Sequence, residues 1–134
     1  MSHNTGDLLV VDDQMGVRRL ISEALLDAGY LVDQAVDGRE ALDLLKEKKY
    51  QLIILDVKMP GMSGVETLHE IRKIDRDVPV VLMTAYEELD LLEEADKLGV
   101  AHFLCKPFDL NELRSLARQY TQTSSRRDAA RVIS

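Results

Sequence analysis

Several short apolar runs in this chain end on residues that could do chemistry. Leu8, Leu9, Val10 and Val11 lead into Asp12 and Asp13. Leu52, Ile53, Ile54 and Leu55 lead into Asp56. Residues 79–83 lead into Thr84, and residues 101–105 into Lys106. If the runs are neighbouring strands, three carboxylates, a hydroxyl and an ammonium meet at one end of a sheet. Clustered carboxylates repel, by roughly 4 kcal/mol for a pair near 4 Å at an effective dielectric of about 20. A proton, a lysine or a metal must neutralise them. Hard oxygen ligands without histidine or thiolate favour Mg²⁺, with Mn²⁺ or Ca²⁺ as substitutes. Mg²⁺ is commonly shared with phosphate, and a carboxylate can be the nucleophile that forms an aspartyl phosphate. The Lys106 ammonium can pair with one phosphoryl oxygen and the Thr84 hydroxyl can donate to another. Phosphoryl transfer needs in-line positioning and charge neutralisation, and such a set supplies both.

The intervening sequence must place these residues together. Val17, Leu20, Ile21, Ala24, Leu25 and Ala28 recur at helical spacing, and Gly29 ends that helix. Residues 31–36 read as a weaker strand. Ala41, Leu42 and Leu45 mark a second helix. Pro60-Gly61 breaks the chain, and Ser63 with Glu66 forms a capping box that opens a third helix through Val65, Leu68 and Ile71. Leu89, Leu92, Ala95 and Leu98 predict a fourth helix closed by Gly99. Asp109 with Glu112 predicts a second capping box, opening a last helix through Leu110, Leu113, Leu116 and Ala117. Strands alternating with helices predict an α/β fold with a parallel sheet covered on both faces. The expected arrangement is flavodoxin-like: a doubly wound five-stranded sheet, order 2-1-3-4-5, flanked by five helices. Strands one and three are then neighbours, and ligands bind beyond the carboxyl ends of the strands. The domain is expected over residues 6–120. The polar segment 121–134 loses its periodicity and is expected to be a disordered tail.

In combination, these residues resemble the receiver domain of two-component response regulators. The matching pieces are Asp12-Asp13, Asp56 in D-V-K-M-P-G-M-S-G, Thr84-Ala85 in M-T-A, and Lys106-Pro107-Phe108. The resemblance implies that Asp56 accepts the phosphoryl group. It implies that Asp13 and Asp56 bind Mg²⁺ directly, with Asp12 helping through water and the Lys58 backbone carbonyl as a further ligand. Thr84 and Phe103 would form a switch pair, and the Lys106–Pro107 bond would be cis. Within the family, Asp-Asp-Gln with Gly16 and Arg18, K-M-P-G-M, M-T-A-Y-E-E-L-D and K-P-F-D are similar to the single-domain regulators of sporulation phosphorelays. That likeness implies sensor histidine kinases as donors and a histidine phosphotransferase as acceptor, with an aspartyl-phosphate phosphatase as a further candidate partner. The implied docking surface is Gln14, Met15, Gly16, Val17, Leu20, Pro107 and Phe108, with Tyr86 nearby. Such a protein is a phosphotransferase-like intermediate, not a conventional metabolic enzyme.

Other readings stand beside these. Asp12-Asp13 could cap a helix, and Phe103 could be a plain core aromatic. Lys58 and Tyr86 could tune the lifetime of an acyl phosphate. Cys105 is expected to be buried, His69 and His102 to lie at the surface, and Met59 and Met62 to pack a loop. A binding module switched by phosphorylation, without onward transfer, is the alternative function. A hydrolase of haloacid-dehalogenase type is disfavoured, because it wants an acid two positions after the nucleophile and Lys58 stands there.

Bulk properties agree with a single domain. The 134 residues are 46% hydrophobic, enough for one core. The net charge of −7 and pI near 4.9 disfavour nucleic acid. One cysteine precludes an internal disulfide and fits the cytoplasm. No apolar run approaches the roughly 20 residues that cross a bilayer, and the first residues lack a signal-peptide core. A monomer is expected.

Overall fold

The computed structural model describes residues 7–85 and 92–133, with side chains for 8–85 and 92–121. The elements, in chain order, are β1 (Asp7–Val11), α1 (Met15–Asp27), β2 (Leu31–Ala35), α2 (Gly38–Glu47), β3 (Leu52–Asp56), α3 (Gly64–Ile74), β4 (Val80–Thr84), α4 (Leu92–Lys97), β5 (His102–Cys105) and α5 (Leu110–Ile133). The strands form one parallel sheet in the order β2-β1-β3-β4-β5. This is the doubly wound arrangement the alternating pattern predicts.

Both faces of the sheet are covered, which is why the central strands are apolar without a break. Every residue of β3 and β4 is buried. Leu9, Val11, Ile53, Leu55, Val80 and Leu82 project to one face, where Ala41 and Leu45 of α2, Leu68 and Ile71 of α3, and Ala95 of α4 meet them. Leu8, Val10, Leu52, Ile54, Val81 and Met83 project to the other, against Ile21 and Leu25 of α1 and Leu113, Leu116 and Ala117 of α5. Two half-cores thus clamp the strands, so their carboxyl ends lie in a rigid row. β2 reads weakly in sequence because it is an edge strand, with Leu31 and Gln34 exposed. Its Asp33 carboxylate accepts from Tyr50 Oη at 2.7 Å and pairs with Lys48 Nζ at 2.8 Å.

Helix boundaries follow local chemistry. Gly29 and Gly99 take positive φ just beyond α1 and α4, a conformation glycine adopts without steric cost. The Ser63 hydroxyl accepts from Glu66 N–H at 3.1 Å, and the Glu66 carboxylate accepts from Ser63 N–H at 2.9 Å, completing the expected box. Ser63→Ala should cost about 1 kcal/mol, a melting point lower by about 4 °C, read by thermal denaturation. The second box is corrected. Asp109 accepts from Asn111 N–H at 2.8 Å, and among the described residues no reciprocal bond from Glu112 closes the box. An N-cap oxygen can satisfy either the second or the third amide of the helix, and here it takes the second. An unforeseen cap is Asp37, which accepts from Glu40 N–H at the start of α2.

The backbone of α5 runs as helix to Ile133. Residues 121–134 hold neither proline nor glycine to break the helix, although the apolar periodicity stops there. Tyr86 and Leu89 lie outside the described residues.

Candidate functional site

The strand ends converge as expected. β1 lies beside β3, and β3 beside β4. Asp12, Asp13 and Asp56 therefore meet in one crevice, and one oxygen of each carboxylate lies within 4.8 Å of the others. Asp12 is fully buried and Asp56 nearly so, whereas Asp13 faces solvent. Lys106, at the end of β5, reaches across β4. Its Nζ lies 3.0 Å from Asp56 Oδ1 and 3.8 Å from Asp12 Oδ2. The Lys106–Pro107 peptide is cis, as the resemblance implied.

The electrostatics are incomplete within the protein. With all three carboxylates ionised, one lysine leaves a charge of about −2 in a poorly solvated crevice. Burial pushes the Asp12 carboxyl above its ordinary range, and the Asp13 charge pushes the same way. Hydrogen bonding from Gln14 N–H and the charges of Lys106 and Arg18 oppose this. Asp12 Oδ1 accepts from Gln14 N–H at 2.9 Å, but the buried Oδ2 has no hydrogen-bond partner among the described residues. A buried carboxylate oxygen in that condition is costly. A hard divalent cation would satisfy it and match the residual charge, so the donor set fits Mg²⁺.

The remaining expected residues fall around this cluster. Thr84 ends β4, buried, its hydroxyl donating to Ala85 O at 3.2 Å. The Thr84 carbonyl accepts from Lys106 N–H at 2.7 Å, locking the two strand ends together. Phe103 is half-buried on β5, packs on the α2–α3–α4 half-core and pairs with Leu82. By strand alternation Thr84 and Phe103 share one face of the sheet. Lys58 sits two residues beyond Asp56 on the β3–α3 loop, with its side chain exposed.

Gln14, Met15, Gly16 and Leu20 are exposed on and before α1, Val17 is half-buried, Pro107 is exposed and Phe108 half-buried. Met15 is 61% and Leu20 54% exposed, unusually high for apolar side chains beside an acidic crevice. Val17 and Phe108 pack on the same half-core, so α1 and the β5–α5 loop border the cluster on one side. Met59 is buried in the core, and Met62 packs near Gly38. Cys105 and His102 are half-buried, the former less enclosed and the latter less exposed than expected, because β5 is an edge strand; His69 is exposed.

Sequence reasoning gave no role to Arg18, Gln34 or Gly64, and all three bear on the cluster. A cleft of about 740 Å³ opens at the opposite, amino-terminal end of the strands, between Lys49, Tyr50, Arg72, Pro79 and Tyr120. It contains none of the cluster residues. Arg72 there is engaged by the carbonyls of Leu98, Asp75, Val78 and Gly99 and serves to tie α3 to the end of α4.

This fold, with acids at the ends of β1 and β3 and a lysine at the end of β5, defines a class. Residues 8–118 match the family model for the response regulator receiver domain, and the chain belongs to that family. It is 41% identical over 118 residues to sporulation initiation phosphotransferase F of Bacillus subtilis (strain 168), covering 88% of this chain and 95% of that protein. Regulatory protein AtoC of Escherichia coli (strain K12) is 37% identical over 118 residues, 88% of this chain but 26% of that much longer protein. Among solved structures, Vibrio cholerae chemotaxis protein CheY4 superposes with a TM-score of 0.80 at 32% identity, covering 87% of this chain and 98% of that one. The receiver domain of NtrX from Brucella abortus gives 0.82 at 30% identity, over 87% and 99%. Among the described residues, no helix is long and apolar enough to cross a membrane.

Proposed function

We propose that the protein is a phosphorelay intermediate that accepts a phosphoryl group on Asp56 from a histidine kinase and passes it to a histidine phosphotransferase. The observation that carries this is the convergence of three carboxylates within 4.8 Å, with Lys106 Nζ 3.0 Å from Asp56. A carboxylate oxygen of Asp56 attacks phosphorus as the bond to the donor's imidazole nitrogen breaks, giving a mixed anhydride and a free histidine. In the onward step an acceptor imidazole attacks the same phosphorus and Asp56 is regenerated. Mg²⁺ held by Asp12, Asp13, Asp56 and the Lys58 carbonyl would neutralise charge on the transferring group. Lys106 and Thr84 supply a cation and a hydroxyl for two phosphoryl oxygens. The added charge of roughly −1.5 to −2 draws both inward, and Thr84 with Phe103 forms the switch pair.

Onward transfer is favoured over simple binding by the likeness to sporulation initiation phosphotransferase F along nearly all of that protein. Support also comes from the exposed apolar side chains beside the crevice. Gln14, Met15, Gly16, Val17, Leu20, Tyr86, Pro107 and Phe108 are assigned as the docking surface for kinase and phosphotransferase, and for an aspartyl-phosphate phosphatase. The protein is placed in the cytoplasm as a monomer in a sporulation-type relay, with neither nucleic acid nor membrane as a partner. The likeness to a chemotaxis protein makes a phosphorylation-switched binding module the second reading.

The two are separated by labelling the protein with radioactive acetyl phosphate and Mg²⁺, then adding the histidine phosphotransferase of a sporulation relay. Within minutes the label should move to the phosphotransferase as acid-labile phosphohistidine. Label that leaves this protein only as inorganic phosphate would support the binding module instead.

A further inference from the structure

The geometry points to Arg18 as the positioning residue for the metal-binding loop: through its bond to the Asp12 carbonyl it sets where Asp13 stands.

The loop between β1 and α1 is short, and its anchors can be traced one by one. Asp12 N–H donates to Ala35 O at the end of β2, at 3.2 Å. Asp12 Oδ1 holds Gln14 N–H at 2.9 Å. The third anchor is the Asp12 carbonyl, which accepts from Arg18 Nη1 at 2.9 Å. That carbonyl belongs to the peptide joining the two acids, so its direction fixes where the chain leaves Asp12 and enters Asp13. Asp13 is exposed, and no hydrogen bond or ion pair holds its side chain among the described residues. The Asp13 carboxylate is therefore placed by its backbone. Arg18 itself is held on two sides. Its own N–H donates to Gln14 O at 2.9 Å, fixing the first turn of α1, and its Nε donates to Gln34 Oε1 on β2 at 3.0 Å. Gln34 thus orients the guanidinium, and the guanidinium orients the peptide. A planar guanidinium can make both bonds at once, which a lysine ammonium on its flexible stem does with less geometric definition.

If the cluster holds Mg²⁺ as proposed, two physical effects of Arg18 have opposite signs. Its positive charge opposes a nearby cation, so electrostatics alone predicts tighter Mg²⁺ binding once the charge is removed. The positioning role predicts weaker binding, because the Asp12–Asp13 peptide is released and Asp13 must be ordered anew on each binding event. The direction of the change therefore decides between them.

The experiment is a calorimetric titration of the full chain with MgCl₂, on wild type, Arg18→Ala, Arg18→Lys and Gln34→Ala. Arg18→Ala is expected to bind about tenfold more weakly, within the range seen when a group orienting a metal ligand is lost. Arg18→Lys should recover part of the loss, because an ammonium can still donate to the Asp12 carbonyl. Gln34→Ala alters no charge and sits on an exposed edge strand, so it should fold normally yet bind about threefold more weakly. Melting curves without Mg²⁺ separate loss of the fold from loss of the site. Equal or tighter binding by Arg18→Ala, or a Gln34→Ala titration identical to wild type, overturns the positioning role while leaving the functional reading intact. Failure of wild type to bind Mg²⁺ would remove both.

Discussion

Asp56→Asn should fold normally and take up no stable phosphate from acetyl phosphate in the presence of Mg²⁺. The asparagine amide is close to isosteric with the carboxylate but lacks an anionic oxygen to attack phosphorus. Loss of the nucleophile is expected to slow labelling by at least about a thousandfold, given the cost of deleting nucleophiles in other enzymes. The fold should survive for an electrostatic reason. Asp56 is nearly buried, and its oxygen stands within 4.8 Å of those of two other carboxylates. Neutralising it removes repulsion, although Lys106 also gives up its 3.0 Å partner. The metal-free variant should therefore melt near the wild-type temperature. Intact-mass spectrometry reads the phosphoryl increment directly. A variant labelled at the wild-type rate would take Asp56 out of the role of sole acceptor.

What the sequence revealed follows from which physical signals survive in one dimension. β1, β3 and β4 are legible because burial on both faces forces consecutive apolar residues. The chemical residues are legible because each closes such a run, so the topology alone brings Asp12, Asp56, Thr84 and Lys106 to one edge. β2 is fainter because Leu31 and Gln34 face solvent and Asp33 serves an ion pair. The support around the site is illegible for a different reason. Nothing in the identity of Arg18 or Gln34 says which carbonyl or guanidinium they will meet. That depends on β2 lying beside β1 in a register that pairs Val10 with Gln34. Arg72 is similar: an ordinary helix-surface arginine by pattern, it spends its donors on four carbonyls, two of them beyond α4 at Leu98 and Gly99. Long polar side chains reach too far for local pattern to report their partners.

Gly64 illustrates a constraint that lies between fold and chemistry. It opens α3, and its N–H donates to Val57 O at 2.8 Å, so the helix begins pressed against the chain leaving β3. A Cβ at this position would collide with the Asp56 carbonyl oxygen and stand 2.6 Å from Val57 Cα. These are backbone atoms clamped inside the sheet, and they cannot rotate away as a side chain can. At Gly38 the clash would be with the Thr67 hydroxyl and Met62 Sδ, both on side chains. Gly64→Ala should therefore lose about 3 kcal/mol of stability, near the upper end for overpacking, with a melting point lower by roughly 10 °C. It should also slow labelling of Asp56 at temperatures where the variant is still folded, because the carboxylate moves with its own backbone. Gly38→Ala should be the milder of the two and leave the labelling rate of the folded protein unchanged. Thermal melts with single-time-point acetyl phosphate labelling of both variants make the comparison. If Gly64→Ala matched wild type in both measurements, the close approach of α3 to β3 would not be what holds Asp56 in place.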